Sequence, residues 1–119
     1  MNETIDLRRM VQMWSYTNGH SQLLLRATKD RDHPTRVDIL FKMVAAMSVP
    51  TLMRELRVRQ ASPIEREEIL FTVDVDHSED RRCFVLEGPG FAGWVVAGVM
   101  VRVEDEGEYH EPSPLIELA

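Results

Sequence analysis

The chain has 119 residues, a mass of 13.7 kDa and a net charge of −6, from 14 basic and 20 acidic side chains. This length supports one domain, residues 1–119, that buries roughly two-thirds of its unfolded surface, and a hydrophobic content of 44% excludes a disordered chain. The single cysteine, Cys83, excludes an intrachain disulfide framework and a cysteine-based zinc cluster. We expect Cys83 to be a small buried hydrophobe.

The chain carries no signal for a membrane. Its acidic start lacks the apolar region of a signal peptide. The longest apolar run, residues 91–101, contains glycines and is well short of the roughly 20 residues that span a bilayer. We therefore expect a cytoplasmic protein with no membrane partner.

Residues 4–14 fit two periodicities. A helix with Asn2 or Thr4 as its N-cap would place on one face the apolar residues Leu7, Met10, Val11 and Trp14. A strand would place on one face Ile5, Leu7, Val11 and Met13. Because Arg9 interrupts the alternating pattern, we favour a short N-terminal helix.

The remainder reads as short strands joined by turns. Residues 51–56 allow one helical turn, and Asn18-Gly19 is the strongest signal for a tight hairpin, of type I′. Residues 94–103 are apolar on both faces, which is typical of a central strand. The predicted strands cover residues 21–27, 37–43, 56–58, 69–75, 82–86 and 94–103. The predicted fold is mainly β, an antiparallel β-sandwich or partly open barrel of about six or seven strands.

A glycine-rich segment matches the G-x-G-x-x-G pattern of dinucleotide-binding proteins, at Gly88, Gly90 and Gly93. A dinucleotide site needs this loop to open a helix whose backbone amides hold the pyrophosphate. Pro89 removes one of those amides, and β-branched residues follow the motif. We therefore interpret the segment as a connection between two strands and expect no nucleotide cofactor.

Two groups of acidic residues are the candidate sites. Carboxylate oxygens and imidazole nitrogens in and after a predicted hairpin at residues 77–80 make a weak divalent-metal site conceivable, although no calcium-loop or zinc spacing is present. The candidate ligands are Asp74, Asp76, His77 and His110. The second group is an acidic surface that could bind a partner, formed by Glu104, Asp105, Glu106 and Glu108.

The charge is distributed unevenly along the chain. Residues 1–60 carry 10 Lys and Arg against 6 Asp and Glu, whereas residues 61–119 carry 4 against 14. Such a dipolar surface can steer a charged partner. We expect Arg57 and Arg59 to pair with acids of the second half, and the overall negative charge argues against nucleic-acid binding.

No residue set resembles an enzyme site, so the sequence favours a non-catalytic protein-binding or interaction module without a cofactor. Its predicted partners are a basic protein and, through free sheet edges, a second copy in a homodimer. The alternative is a β-barrel that binds a small ligand or a divalent metal, with or without catalysis. Residues 109–119 contain two prolines and are expected to form a tail that leaves the sheet.

Overall fold

A computed structural model describes residues 4–73 and 81–113, which form ten strands and one α-helix. The strands are β1 (Ile5–Leu7), β2 (Val11–Thr17), β3 (Gln22–Ala27), β4 (Arg36–Lys42), β5 (Ala46–Ser48), β6 (Leu52–Met53), β7 (Leu56–Gln60), β8 (Arg82–Gly88), β9 (Phe91–Ala97) and β10 (Val99–Asp105). The helix α1 comprises Pro63–Thr72. The predicted mainly-β fold is confirmed, with more strands than expected because several are only two or three residues long.

The strands form two antiparallel sheets of five strands each. Sheet A has the order β1-β7-β8-β9-β5, and sheet B has the order β10-β4-β3-β2-β6. The two sheets pack as a sandwich, and the described strands do not close into a barrel. In the described ranges, no helix has the length and apolar character needed to cross a bilayer.

The main core lies between the sheets. Sheet B contributes Leu25 and Phe41, sheet A contributes Val58 and Phe84, and the two phenylalanine rings meet edge to face with centroids 5.4 Å apart. The central strands of sheet B are also buried on their outer face, where Leu24 packs against Leu40, Trp14, Val101 and Val103. Sheet B therefore carries apolar residues on both sides, as a covered central sheet does.

The predicted N-terminal helix is wrong. Residues 5–7 form an edge strand of sheet A, and residues 11–17 form a strand of sheet B, so the chain changes sheets at residues 8–10. The segment also fits a helical spacing because its apolar residues do not share one face: Met10 is exposed where the chain changes sheets, and Trp14 packs on the outer face of sheet B. The helical turn considered for residues 51–56 is likewise absent, since Leu52–Met53 pairs with β2.

The helix lies instead where a strand was predicted. Ser62 caps α1 by accepting from the Glu65 amide at 3.2 Å, and the Glu65 carboxylate accepts from the Ser62 amide at 2.9 Å. Pro63 occupies the first turn of the helix. This capping box outweighs the alternating pattern of residues 69–73, because Ile69 and Leu70 can both face sheet A from a helix.

The apolar run at residues 94–103 is two strands and not the single central strand predicted. It divides at Gly98, where a Cβ atom would overlap the side chain of Met43. The Gly98 amide donates to the Lys42 carbonyl at 2.9 Å, and the chain passes there from sheet A to sheet B. As a result, β10 is an edge strand.

The predicted hairpin at Asn18-Gly19 is present between β2 and β3, but as a 3-10 turn at Asn18–His20 with Ser21 in the left-handed region (φ 50°). The glycine-rich motif joins β8 and β9 in a second hairpin, with Gly90 at φ 82°. A strand, and not a helix, follows the motif, so the segment connects two strands, as predicted.

Glu65 also accepts two hydrogen bonds from Arg59, at 2.7 and 2.8 Å, and Arg59 donates to Glu87 at 2.9 Å. Arg59 therefore pairs with acids of the second half, as expected. The hydrogen bonds from Arg59, followed by those from Ser62, lower the pKa of Glu65 from 4.5 to about 2.

A lowered folded-state pKa means that Glu65 stabilises the fold above pH 4.5 and loses this contribution as the pH falls towards 2. We expect Glu65→Gln to lower the free energy of unfolding at pH 7 and the difference from the parent to shrink below pH 4.5. Urea unfolding at several pH values measures this. Glu67→Gln, an exposed change on the same helix, is the control, and a pH-independent effect of Glu65→Gln would contradict the assignment.

Candidate functional site

Of the four predicted metal ligands, one lies among the residues that the structure describes. Asp74, Asp76 and His77 lie outside them, as does the hairpin predicted at residues 77–80, and His110 is exposed after the end of β10. Within residues 4–73 and 81–113, no three or more His, Cys, Asp or Glu side chains are placed to hold a metal ion. The metal site therefore stays a prediction.

Cys83 is buried in β8, as predicted for a small hydrophobe, with 1% of its surface exposed. Burial raises the pKa of its thiol, which disfavours the nucleophilic thiolate at neutral pH. Cys83 packs with Ile69, Leu70, Val85 and Val96 under helix α1.

The acidic residues at the end of β10 mostly have basic or hydroxyl partners. Glu104 accepts from Arg102 at 3.1 Å and from the Thr35 hydroxyl, and Glu108 accepts from Lys29 at 3.0 Å. The hydrogen bond from Thr35, followed by that from Arg102, lowers the pKa of Glu104. These charges are therefore compensated locally and do not form a bare acidic patch.

Asp105 belongs to a buried chain of ion pairs on the outer face of sheet B. Arg36 donates to both of its carboxylate oxygens at 3.0 Å, and this bidentate contact lowers the pKa of Asp105. Asp38, which is fully buried, accepts two hydrogen bonds from Arg26 at 2.8 and 3.2 Å. A guanidinium nitrogen of Arg36 lies 4.0 Å from Asp38 and so joins the two pairs.

Residues 106–113, here called the strap, run across this ion-pair chain. Arg36 donates to the carbonyls of Glu108 and Glu111 at 2.9 and 2.7 Å, and Arg26 donates to the carbonyl of Tyr109 at 3.1 Å. The predicted C-terminal tail thus begins as a covering segment, not a free one. Among the acids of the predicted surface, only Glu106 is both exposed and without an ion pair in the described part of the chain.

A different feature forms the candidate site, a cleft of about 390 Å³ between the edge strands β1 and β10, here called the Arg9 cleft. It lies on the open side of the sandwich, where the two sheets present β1 and β10 as edges. The cleft is lined by Asp6, Leu7, Arg8, Arg9, His33, Pro34, Thr35, Val37, Arg102 and Glu104.

Arg9 is buried because it lies where the chain crosses from sheet A to sheet B. It is only 8% exposed, and its Nη1 donates to the Thr35 carbonyl at 2.8 Å. Its Nη2 is buried and has no hydrogen-bond partner in the described part of the chain. Buried hydrogen-bond donors are nearly always paired, because an unpaired charged donor costs its desolvation free energy, on the order of several kcal/mol. This nitrogen therefore marks a position for an acceptor.

The side chains that line the Arg9 cleft carry a net positive charge, which favours an anion. Three arginines, at positions 8, 9 and 102, face two carboxylates, Asp6 and Glu104, which leaves one positive charge. His33 also lines the cleft, but its Nδ1 contacts Asp30 at 2.7 Å. Arg102 and Glu104 form the outer wall, with side chains 35% and 43% exposed.

A neighbouring cleft of about 470 Å³ gives the contrast. It shares Asp6 and Arg8 with the Arg9 cleft and adds Arg57, so it has two arginines. With Glu55 and Glu87 it has three carboxylates, which leaves one negative charge. The larger cleft is therefore the poorer site for an anion, and its exposed Arg57 is a reference for the charge of Arg9.

The Arg9 cleft could not be found from sequence periodicity. Its residues come from β1 and the β1–β2 connection, from the β3–β4 connection and the start of β4, and from β10, which are distant in the chain. One local signal was present, because Arg9 breaks an otherwise alternating apolar pattern at the point where the chain changes sheets.

Comparison with known proteins gives no further guidance. No known protein family, no curated protein and no solved structure matches the chain.

Asp38→Asn tests the buried ion-pair chain. It leaves Arg26 without its charged partner in a site that is 1% exposed, so we expect the free energy of unfolding to fall by about 3–5 kcal/mol. Chemical denaturation at neutral pH measures this. Asp32→Asn, in the exposed β3–β4 loop, is the control, and equal effects of the two variants would contradict a special role for Asp38.

Proposed function

We propose that the chain is a non-catalytic binding module that recognises a carboxylate group in the Arg9 cleft. The observation that supports this function is the buried Nη2 of Arg9, which has no acceptor in the described part of the chain. An arginine binds a carboxylate through charge-assisted hydrogen bonds, and a guanidinium shielded from water binds it more strongly than an exposed one does.

The net charge of the cleft favours a carboxylate over a phosphate. One negative charge neutralises the excess that three arginines leave over two acids, whereas a phosphate dianion would overshoot it. The buried Nη2 of Arg9 has no hydrogen-bond partner in the described part of the chain, whereas Nη1 donates to the Thr35 carbonyl.

A ligand reaches Arg9 by displacing the pair of side chains on the outer wall. The Arg102–Glu104 ion pair joins two partly exposed side chains, and such pairs contribute little to stability. Glu104 is a carboxylate of this outer wall, so it competes with a ligand while Arg102 adds to the attraction. Screening by salt should weaken binding, because the outer wall faces water.

Sodium acetate is the probe for this function, followed by the Arg side-chain Nε–Hε signals in two-dimensional NMR of the full chain. We expect a saturable shift of the Arg9 signal, and Arg9→Gln should weaken acetate binding by at least about tenfold. Arg57→Gln removes the same charge from the neighbouring cleft and should leave the affinity unchanged. Arg9→Lys, which keeps the charge, covers the case in which Arg9→Gln fails to fold.

Sodium chloride at the same ionic strength separates carboxylate recognition from screening. If acetate and chloride shift the same signals to the same extent, or if Arg57→Gln reduces the acetate affinity as strongly as Arg9→Gln, the proposed function is wrong.

Glu104→Gln makes a second test in the opposite direction. It removes the carboxylate that competes for the arginines and weakens the wall that closes over Arg9, so acetate should bind several-fold more tightly than it does to the parent chain. Glu106→Gln, an equal change of charge beyond the cleft, is the control. Weaker binding to Glu104→Gln would contradict the role given to this wall.

A further inference from the structure

We infer that the carboxylate recognised in the Arg9 cleft is Glu104 of a second copy of the chain, brought there by antiparallel pairing of β10 with β10. This inference rests on the proposed function and names its partner. The homodimer predicted from free sheet edges thereby obtains a definite interface, in which each copy completes the binding site of the other.

The edge of β10 is available for such a pairing. β10 has seven residues and pairs with β4 on one side, and the described part of the chain places no strand on its other side. The strap leaves β10 towards β4 and β3, where its carbonyls accept from Arg36 and Arg26. It therefore runs away from the free edge.

The side chains of β10 are divided between two faces. Arg102 and Glu104 are opposite Ile39 and Val37 of β4, so they share the inward face with those core residues, and both line the Arg9 cleft. Val101 and Val103 lie on the outer face beside Leu40. In a paired strand, directly opposed residues point to the same face, so inward residues of one copy meet inward residues of the other.

Charge selects one register of the pairing. A two-fold axis through Val103 places Arg102 opposite Glu104 of the second copy, and Glu104 opposite Arg102, so two opposite-charge pairs form. Centring the axis on Arg102 opposes the two arginines, and centring it on Glu104 opposes the two glutamates, so in both cases like charges meet at the axis itself. In the favoured register the incoming carboxylate lies beside Arg102, at the opening of the cleft that holds the unpaired nitrogen of Arg9.

The interface is a single pair of edge strands, so we expect a weak, concentration-dependent dimer that salt dissociates. Sedimentation velocity of the full chain over a wide concentration range measures it. Arg102→Glu and Glu104→Arg should each weaken the dimer by at least about tenfold, because each opposes like charges at both pairs. Both positions are exposed, so folding should be retained.

Mixing the two single variants is the decisive step. The Arg102→Glu variant presents two acids on the inward face of β10, and the Glu104→Arg variant presents two bases. An equimolar mixture should therefore form a heterodimer, although each variant alone dimerises weakly. Glu67→Arg, an exposed change of the same charge on helix α1, which packs on sheet A, is the matched control and should dimerise like the parent. Arg9→Gln should weaken the dimer, and added sodium acetate should compete with it.

The outcomes separate this inference from the proposed function. Acetate binding that depends on Arg9, in a chain that stays monomeric up to millimolar concentration, would overturn the inference and leave the proposed function standing. A dimer that neither single variant weakens would place the interface elsewhere and also overturn the inference. If the parent chain neither binds acetate nor dimerises, both the inference and the proposed function are wrong. If the equimolar mixture of the two single variants dimerises, the inference is supported.

Discussion

The buried chain of ion pairs on sheet B constrains more of this structure than any other interaction. Arg26 and Arg36 are almost completely buried, and buried guanidinium groups are tolerated only when nearly all of their donors are paired. Asp38 and Asp105 satisfy part of this requirement, and the carbonyls of the strap satisfy the rest. The strap is therefore held to the outer face of sheet B, and the end of β10 is anchored to β4 through Asp105.

The fold class and most of the long strands could be predicted from the sequence, because a strand with one buried face has apolar and polar residues in alternation. The prediction failed where a second signal competed with alternation. At residues 63–72 the capping box of Ser62 and Glu65, with Pro63 in the first turn, decides for a helix, and this signal could have been recognised beforehand. At Gly98 the break depends on the side chain of Met43, which is distant in sequence, so no local pattern could reveal that one apolar run serves two sheets.

The candidate site was less predictable than the fold for a related reason. The number of acids after residue 60 is visible in the sequence, but their pairing depends on which strands become neighbours. The pairs Arg36–Asp105 and Lys29–Glu108 join residues more than sixty positions apart. Arg9 is informative only through what it lacks, an acceptor for one buried nitrogen, and such a deficit exists only once the sheets have been packed.

The edges of the sandwich explain why pairing through β10 would stop at two copies. An unprotected edge strand can recruit further strands without limit, and proteins prevent this with short edges and inward-pointing charges. Here the opposite edge of sheet B is β6, with two residues, and the edges of sheet A are β1 and β5, with three residues each. Among the edge strands that the structure describes, only β10 is long enough to hold another strand, and its Arg102 and Glu104 admit a partner only when opposite charges face them. A two-fold β10–β10 pair leaves neither copy with a free β10 edge. The charges of Arg102 and Glu104 that disfavour non-specific strand pairing therefore also select the one pairing that ends at a dimer.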